Sequence, residues 1–292
     1  MYAIAGASGR VGSAAADHLL RAGRPVRVLV RRPEAAAAWE ARGAQARLVD
    51  LHDEEALAEA LTGCTGLFAL LPFDLTVEDG ATDARAVAGA TAGAVRRAGV
   101  PHVVVLSSGG ADLPGGTGPI AGLHVLEESL RATGARVSAL RSGHFQEKVG
   151  DVLDVARAEG VYPVFAASAD VLHPMGATRD LGVVVARTLL APAAADEVVD
   201  VLGPEYTERE VAAVLGAALG RELAVVPLPE EAWAPTLAAT GLPMPVAESL
   251  AELYRADEQG LLAPRGGRTV RLTTPLADTV AALVVAAPVP QG

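Results

Sequence analysis

The tightest constraint on the fold lies in the first dozen residues, Tyr2-Ala3-Ile4-Ala5-Gly6-Ala7-Ser8-Gly9-Arg10-Val11-Gly12. A short apolar run enters three glycines spaced three apart, and a helical pattern begins within them. A strand of this kind delivers the backbone to the edge of a parallel sheet. Glycines then let the chain turn and approach an anion without side-chain clashes. The helix start that follows presents unpaired N–H groups and the positive end of its dipole. Taken alone, the glycine spacing describes an ordinary strand–turn–helix connection equally well, so its meaning rests on what comes after it.

A regular alternation comes after it. The pattern predicts a helix over 13–22 closed by Gly23, and a strand over 25–30 ending at Arg31-Arg32-Pro33. A helix over 34–42, a strand over 44–49 ending at Asp50-Leu51, and a helix over 54–61 capped by Asp53 follow. The unbroken apolar run 66–71 reads as a buried parallel strand stopped by Pro72. A helix over 79–98, a strand over 101–106, a helix over 124–133 and a strand over 136–140 complete the series. Such alternation implies an α/β fold of right-handed βαβ units in a doubly wound parallel sheet, with strand order 3-2-1-4-5-6.

Beyond residue 145 the rhythm loosens. Strands are expected over 161–165 and 198–202, and helices over 178–190 and 208–219. Proline-punctuated helices fill 229–260, a docking helix 275–286, and a frayed tail 288–292. The expected organisation is a nucleotide-binding domain over 1–145 with a smaller α/β substrate lobe over 146–292, packed intimately on it.

Composition narrows the partners. A net charge of −11 argues against nucleic acid, whose phosphates need a basic face. The single cysteine, Cys64, excludes an internal disulfide framework and a cysteine-based metal cluster, and no metal site is expected. No apolar run approaches the ~18 residues needed to span a bilayer, and the N-terminus has no signal pattern. The chain therefore reads as a soluble cytoplasmic monomer or homodimer acting on a small molecule.

Chemistry concentrates at the strand ends. A fold that prefers NAD carries a carboxylate about 20 residues past the glycines to hold the ribose 2′-hydroxyl. Here that place is Arg31 and Arg32, which suit a 2′-phosphate and favour NADP(H) over NAD(H); the plainer reading is two solvated arginines. Asp50 and Leu51 lie where an adenine edge would sit, or serve only as a loop. Leu71, Pro72 and Phe73 end the fourth strand beside the glycine loop. Ser107 and Ser108 end the fifth, near a nicotinamide, though Ser-Ser-Gly-Gly is also ordinary turn chemistry.

Together these stretches resemble the NmrA-like group of atypical short-chain dehydrogenases/reductases. The resemblance runs through 6–12, 28–33, 49–51 and 106–109, then Glu127-Glu128-Ser129-Leu130-Arg131 and Leu140-Arg141-Ser142-Gly143-His144-Phe145. It continues through 178–182, 202–205 and 219–221. It implies a Rossmann fold and NADP(H) held by Gly6, Ala7, Ser8, Gly9, Arg10, Val11, Gly12 and Gly143. The Tyr-x-x-x-Lys pair of the better-known short-chain reductases is absent: no tyrosine stands four residues before Lys148, the only lysine. His124 takes the place where such proteins often carry a lysine or histidine, and is the candidate proton donor; the alternative is a capping residue. His144, Phe145, Lys148 and His173 are the candidate substrate contacts, with Lys148 standing where the family usually has asparagine.

Two classes of function remain. One is an NADPH-dependent oxidoreductase passing hydride to a small carbonyl, quinone or enone. The other is a cofactor-binding redox sensor of a protein partner without catalysis, or a non-redox isomerase or cyclase on the same fold.

Overall fold

The computed structural model describes residues 1–286; the tail expected at 288–292 lies outside the described residues. The first half holds β1 (Tyr2–Ala5), α1 (Arg10–Arg21), β2 (Val26–Val30), α2 (Pro33–Glu40), β3 (Gln45–Leu48) and α3 (Glu54–Leu61). It continues with β4 (Gly66–Ala69), α4 (Gly80–Ala98), β5 (His102–Ser108), α5 (Ile120–Arg131) and β6 (Arg136–Ser142). The second half opens with β7 (His144–Phe145), a 3-10 helix (Gln146–Val152), α6 (Leu153–Glu159), β8 (Val161–Val164), β9 (His173–Gly176) and α7 (Thr178–Leu190). Then come β10 (Glu197–Leu202), β11 (Glu205–Tyr206), α8 (Glu208–Leu219), β12 (Ala224–Pro227), α9 (Glu230–Ala239), α10 (Met244–Glu258), β13 (Arg268–Arg271) and α11 (Leu276–Ala286).

Eight strands form one parallel sheet in the order β3-β2-β1-β4-β5-β6-β10-β13. The doubly wound order 3-2-1-4-5-6 is present, and two strands from beyond residue 145 extend it. β6 is buried along almost its whole length, which an edge strand would not be, and Val199 and Val201 of β10 bury fully in the sheet beside it. Helix α7 belongs to the same body. It packs on α1 with Gly182 so close that a Cβ there would stand 2.5 Å from the Ala14 methyl. The layer built on the main sheet therefore draws on both halves of the chain.

One apolar cluster lies on the α1 and α7 face and includes Ile4, Val28, Phe68, Val104 and Leu140. Another lies on the α3, α4 and α5 face and includes Ala3, Leu67, Val105 and Val137. Residues alternate between the two along each strand, as the pleat requires. The remaining elements build a lobe around a third cluster, with the small sheets β11-β9-β7 and β12-β8.

Two helix starts differ from expectation. α1 begins at Arg10, so Arg10, Val11 and Gly12 are its first turn. α5 begins at Ile120, directly after Pro119, which can precede a helix because no N–H is needed there. Asp53 caps α3 as expected, its carboxylate accepting from the Glu55 and Ala56 N–H groups. Among the described residues, no helix is long and apolar enough to cross a membrane.

Candidate functional site

The glycine loop leaves β1 with Gly6 at φ +63°, a left-handed conformation in which a Cβ would also lie 2.5 Å from the Leu70 side chain. The Gly9 N–H donates to the Gly6 carbonyl at 2.8 Å. A Cβ on Gly12 would stand 2.4 Å from that same carbonyl oxygen, so the first turn of α1 closes onto the loop only with glycine there. Trp39 of α2, buried, donates its indole N–H to the Ala7 carbonyl at 3.3 Å and fixes the loop from behind. Gly9 caps α1 without a side-chain acceptor, and the first turn carries no acid. Its N–H groups and dipole thus face outward, uncompensated. Ser8, Gly9 and Arg10 are exposed, whereas Ala7 and Val11 turn into the core and offer only backbone.

At the neighbouring strand ends, Arg31 and Arg32 are both exposed and their guanidiniums have no hydrogen bond or ion pair among the described residues, although the Arg31 charge helps lower Asp50 and Asp74. Asp50, past β3, is already engaged. Its carboxylate accepts from the His52 N–H at 3.0 Å and contacts the ring Nδ1 at 2.8 Å, while His52 Nε2 reaches Asp83 at 2.7 Å. The hydrogen bonds from His52 hold the Asp50 carboxyl below its ordinary value, and the carboxylates raise the imidazole. Leu51 is half-buried beside Asp50. Leu71 is buried after β4, Pro72 half-buried, and Phe73 is 56% exposed.

The two serines ending β5 point to opposite faces. Ser107 is buried and donates to Glu127 of α5 at 2.5 Å. Glu127 is fully buried and also accepts from Arg141 at 3.1 and 2.9 Å and from Arg131 at 2.7 Å. Burial alone would raise this carboxyl, but the Arg141 and Ser107 hydrogen bonds outweigh it and lower the acid. Arg141 continues to Asp112, which meets Arg265. The expected cofactor role for Ser107 therefore competes with a structural bond, and Ser108 alone of the pair faces the α1 side. Its hydroxyl donates to the Ser142 carbonyl at 3.5 Å. The buried hydroxyls of Ser142 and Thr117 have no protein partner among the described residues. Gly143 is needed for packing, since a Cβ would lie 2.7 Å from the Pro174 carbonyl oxygen.

His124 does not start a helix. It sits in the second turn of α5, where Nδ1 donates to the Ala111 carbonyl at 3.0 Å and ties down the loop after β5. Lys148 turns outward to Asp151 at 3.2 Å. Phe145 packs against the sheet.

His144 and His173 do come together, and they do so around a residue that sequence reasoning missed. Asp257 of α10 places its Oδ2 3.0 Å from His144 Nε2 and 3.4 Å from His173 Nδ1, with the two rings 5.0 Å apart. Burial alone would depress the His144 imidazole, but the Asp257 hydrogen bond and charge outweigh it and raise it. The same bond holds Asp257 below the usual carboxylate value against its own burial. The three donor atoms lie within 4.8 Å of one another, a metal-sized grouping that the sequence did not suggest. The hydrogen bond satisfies His144 and Asp257 without an ion. Nearby, the Phe165 and Tyr254 rings stack at 5.2 Å, and burial pushes the Tyr254 phenol up to about 12.

Comparison with known proteins adds to this geometry. The family model described as NmrA-like family matches residues 2–283. An NAD(P)H azoreductase from Xenophilus azovorans is 27% identical, with 90% of this chain and 89% of that protein covered. Quinone oxidoreductase 2 of Escherichia coli (strain K12) is 28% identical, covering 97% and 98%. Among solved structures, an NADPH-dependent quinone oxidoreductase from Escherichia coli complexed with NADPH superposes with TM-score 0.79, at 26% identity over 97% of this chain and 99% of that one. A Citrobacter sp. triphenylmethane reductase complexed with NADP(H) shares the fold, with TM-score 0.78 at 23% identity and coverage of 97% and 99%.

Proposed function

The chain belongs to the NmrA-like family, and from that premise we propose that it is an NADPH-dependent reductase passing hydride to a small quinone, enone or carbonyl compound in the cytoplasm. The observation that carries the reading is a pairing at the β1–β2 edge. A glycine cradle that any Cβ would fill, opening on an uncapped helix start, stands beside Arg31 and Arg32, whose guanidiniums make no hydrogen bond or ion pair among the described residues. The cradle suits a pyrophosphate, and the two guanidiniums suit a 2′-phosphate that an acidic strand end would repel. Ser108, half-buried at the end of β5, suits the polar groups of a nicotinamide riboside there. When bound, reduced nicotinamide supplies the hydride.

The chain's own part is orientation and proton supply. Gly6, Gly9 and Gly12 let the backbone close on the phosphates, Trp39 holds the loop, and Phe73 offers an exposed ring at its mouth. The half-buried Phe165 and Tyr254 rings favour a flat substrate, in keeping with the quinone and azo activities named for the relatives. Three of the four tyrosines are already engaged or raised by their surroundings. Tyr162 donates to Glu208, the Tyr206 oxygen accepts from the Leu276 N–H, and Tyr254 is held protonated by burial.

Calorimetry with NADPH and NADH on the wild type and Arg31→Ala tests the cofactor. NADPH affinity is expected to fall about 10-fold in the variant, the value of one charge-assisted contact, with NADH binding unchanged. Equal NADPH affinity in the two proteins would remove the clamp. No NADPH oxidation across a panel of quinones and enones would remove the reductase reading.

A further inference from the structure

Resting on the reductase reading, we propose that His144 is the group that protonates the substrate oxygen, through its Nδ1, with Asp257 as its positioning residue. Three observations converge. The first is place. His144 lies two residues beyond the end of β6, three strands along from the glycine loop by way of β4 and β5, a displacement of about 14 Å at the usual strand spacing. In open parallel sheets, ligands lie outside these carboxyl ends, so the far end of a crevice that starts at the phosphates falls beside His144.

The second is orientation. The His144 Nε2 is spent on Asp257, and Nδ1 is the nitrogen with no protein partner among the described residues, on a ring still 37% exposed. A carboxylate that holds one ring nitrogen fixes the neutral tautomer with its proton on that nitrogen, and by favouring the imidazolium it loads a second, transferable proton onto the other. The third is the lack of a competitor. His124 donates its Nδ1 proton to a backbone carbonyl, Tyr162 donates its hydroxyl to Glu208, and burial holds the Tyr254 phenol high.

The charged groups around the ring act in both directions. Asp257 on α10 and Glu208 on α8 favour the imidazolium, Lys148 on the 3-10 helix opposes it, and His173 on β9 shares the Asp257 carboxylate. The net direction is upward, so the acid form persists above the ordinary imidazole range. With reduced nicotinamide bound, the C4–H hydride would pass to one carbonyl oxygen of a quinone, and the charge it brings would come to rest on the other oxygen. The new O–H bond forms as the Nδ1–H bond breaks. His144 remains as the neutral imidazole with its Nε2–H hydrogen-bonded to the Asp257 carboxylate, and recovers the Nδ1 proton from water. One NADPH and one proton are consumed per hydroquinone formed.

The test uses two acceptors and the full chain with NADPH. Menadione needs both hydride and proton. Crystal violet, a carbocation, needs hydride alone. In His144→Gln, menadione kcat should fall about 100-fold and lose its decline at high pH, while crystal violet turnover stays within about 3-fold of wild type. NADPH affinity by calorimetry should not change. In Asp257→Asn, the high-pH decline should move to lower pH. The His144 ring, followed by NMR among the six histidines of the cofactor-free chain, should titrate lower by the same amount. Equal losses on both acceptors, or an unchanged menadione rate in His144→Gln, would overturn the assignment. So would tight uptake of Zn²⁺ by the cofactor-free wild type that is lost in His144→Gln. Failure of the wild type to bind NADPH would instead sink the reductase reading itself.

Discussion

The glycine loop and the His144 cluster are made of different material. The first is backbone: three glycines within seven residues, a carbonyl held by Trp39, and the free N–H groups of α1. The second is side chain: His144, His173 and Asp257 come from β7, β9 and α10, and the first and last are 113 residues apart. Backbone recognition is set by the local path of the chain and tolerates change elsewhere. Side-chain recognition depends on how the lobe and α10 settle on the sheet. Between the two ends runs the buried Ser107–Glu127–Arg141 network, which binds the ends of β5 and β6 to α5.

That network is where both ends should break together. Glu127→Ala leaves Arg141 buried at 6% exposure with its main counter-charge gone, and should cost about 3–5 kcal/mol of stability, read by denaturant unfolding. NADPH affinity and quinone turnover should fall in parallel. A loss under about 1 kcal/mol would mean that Asp112 and water replace the carboxylate, and that the two ends are mechanically independent.

Next in size is a change confined to the backbone end. Gly12→Val drives a side chain into the Gly6 carbonyl and should weaken NADPH binding about 100-fold, with about 1–3 kcal/mol lost from overpacking. His144 should titrate as before. A variant that binds NADPH normally would show that α1 can shift without harming the cradle, which would contradict the close approach on which the loop is built.

The same contrast explains what was legible in the sequence. The glycine spacing and the apolar strands each announce themselves within a few residues, so the order of the first six strands could be read directly. β10 and β13 could not, because their membership in the main sheet depends on which edge is left open after β6. His144 and His173 stood out as isolated histidines, but nothing in the sequence joined them to Asp257, which lies on a helix of mostly small buried residues. Glu127 did carry a signal. It occupies the apolar stripe formed by Ile120, Leu123 and Leu130 at helical spacing, and a carboxylate there must find a buried partner. Ser107 was misleading for the mirror reason: strand parity, invisible in a Ser-Ser pair, turns it toward α5.

A smaller effect should separate the His144 end from the rest by its pH dependence. His144 is raised in the folded chain, so the stability it draws from Asp257 is complete below the unfolded value near 6.5 and is lost as pH rises through the folded value. Asp257 is lowered, so its share is present above the unfolded carboxylate value and is lost as pH falls through the folded one. The Tm difference between wild type and Asp257→Asn should therefore be widest between these limits and shrink on either side. Gly12→Val should show a pH-independent difference. A flat profile for Asp257→Asn would mean that the His144–Asp257 contact carries no charge in solution.

The smallest expected effect concerns Lys148, the residue that the family resemblance offered as a substrate contact and that the fold turns toward Asp151 on the surface. Both partners are largely exposed, so Lys148→Ala should change stability by less than about 0.5 kcal/mol, measured by denaturant unfolding. Menadione KM should stay within about twofold, because a side chain spent in a surface pair leaves nothing to the substrate. Its positive charge nevertheless opposes protonation of His144, so its removal should move the high-pH decline of kcat slightly upward, opposite to the Asp257→Asn displacement. That opposition of sign reads the electrostatics of the His144 end without disturbing its packing. A KM raised about 10-fold with an unmoved pH profile would instead return Lys148 to the substrate, and would mean that the 3-10 helix carrying it swings inward when the crevice fills.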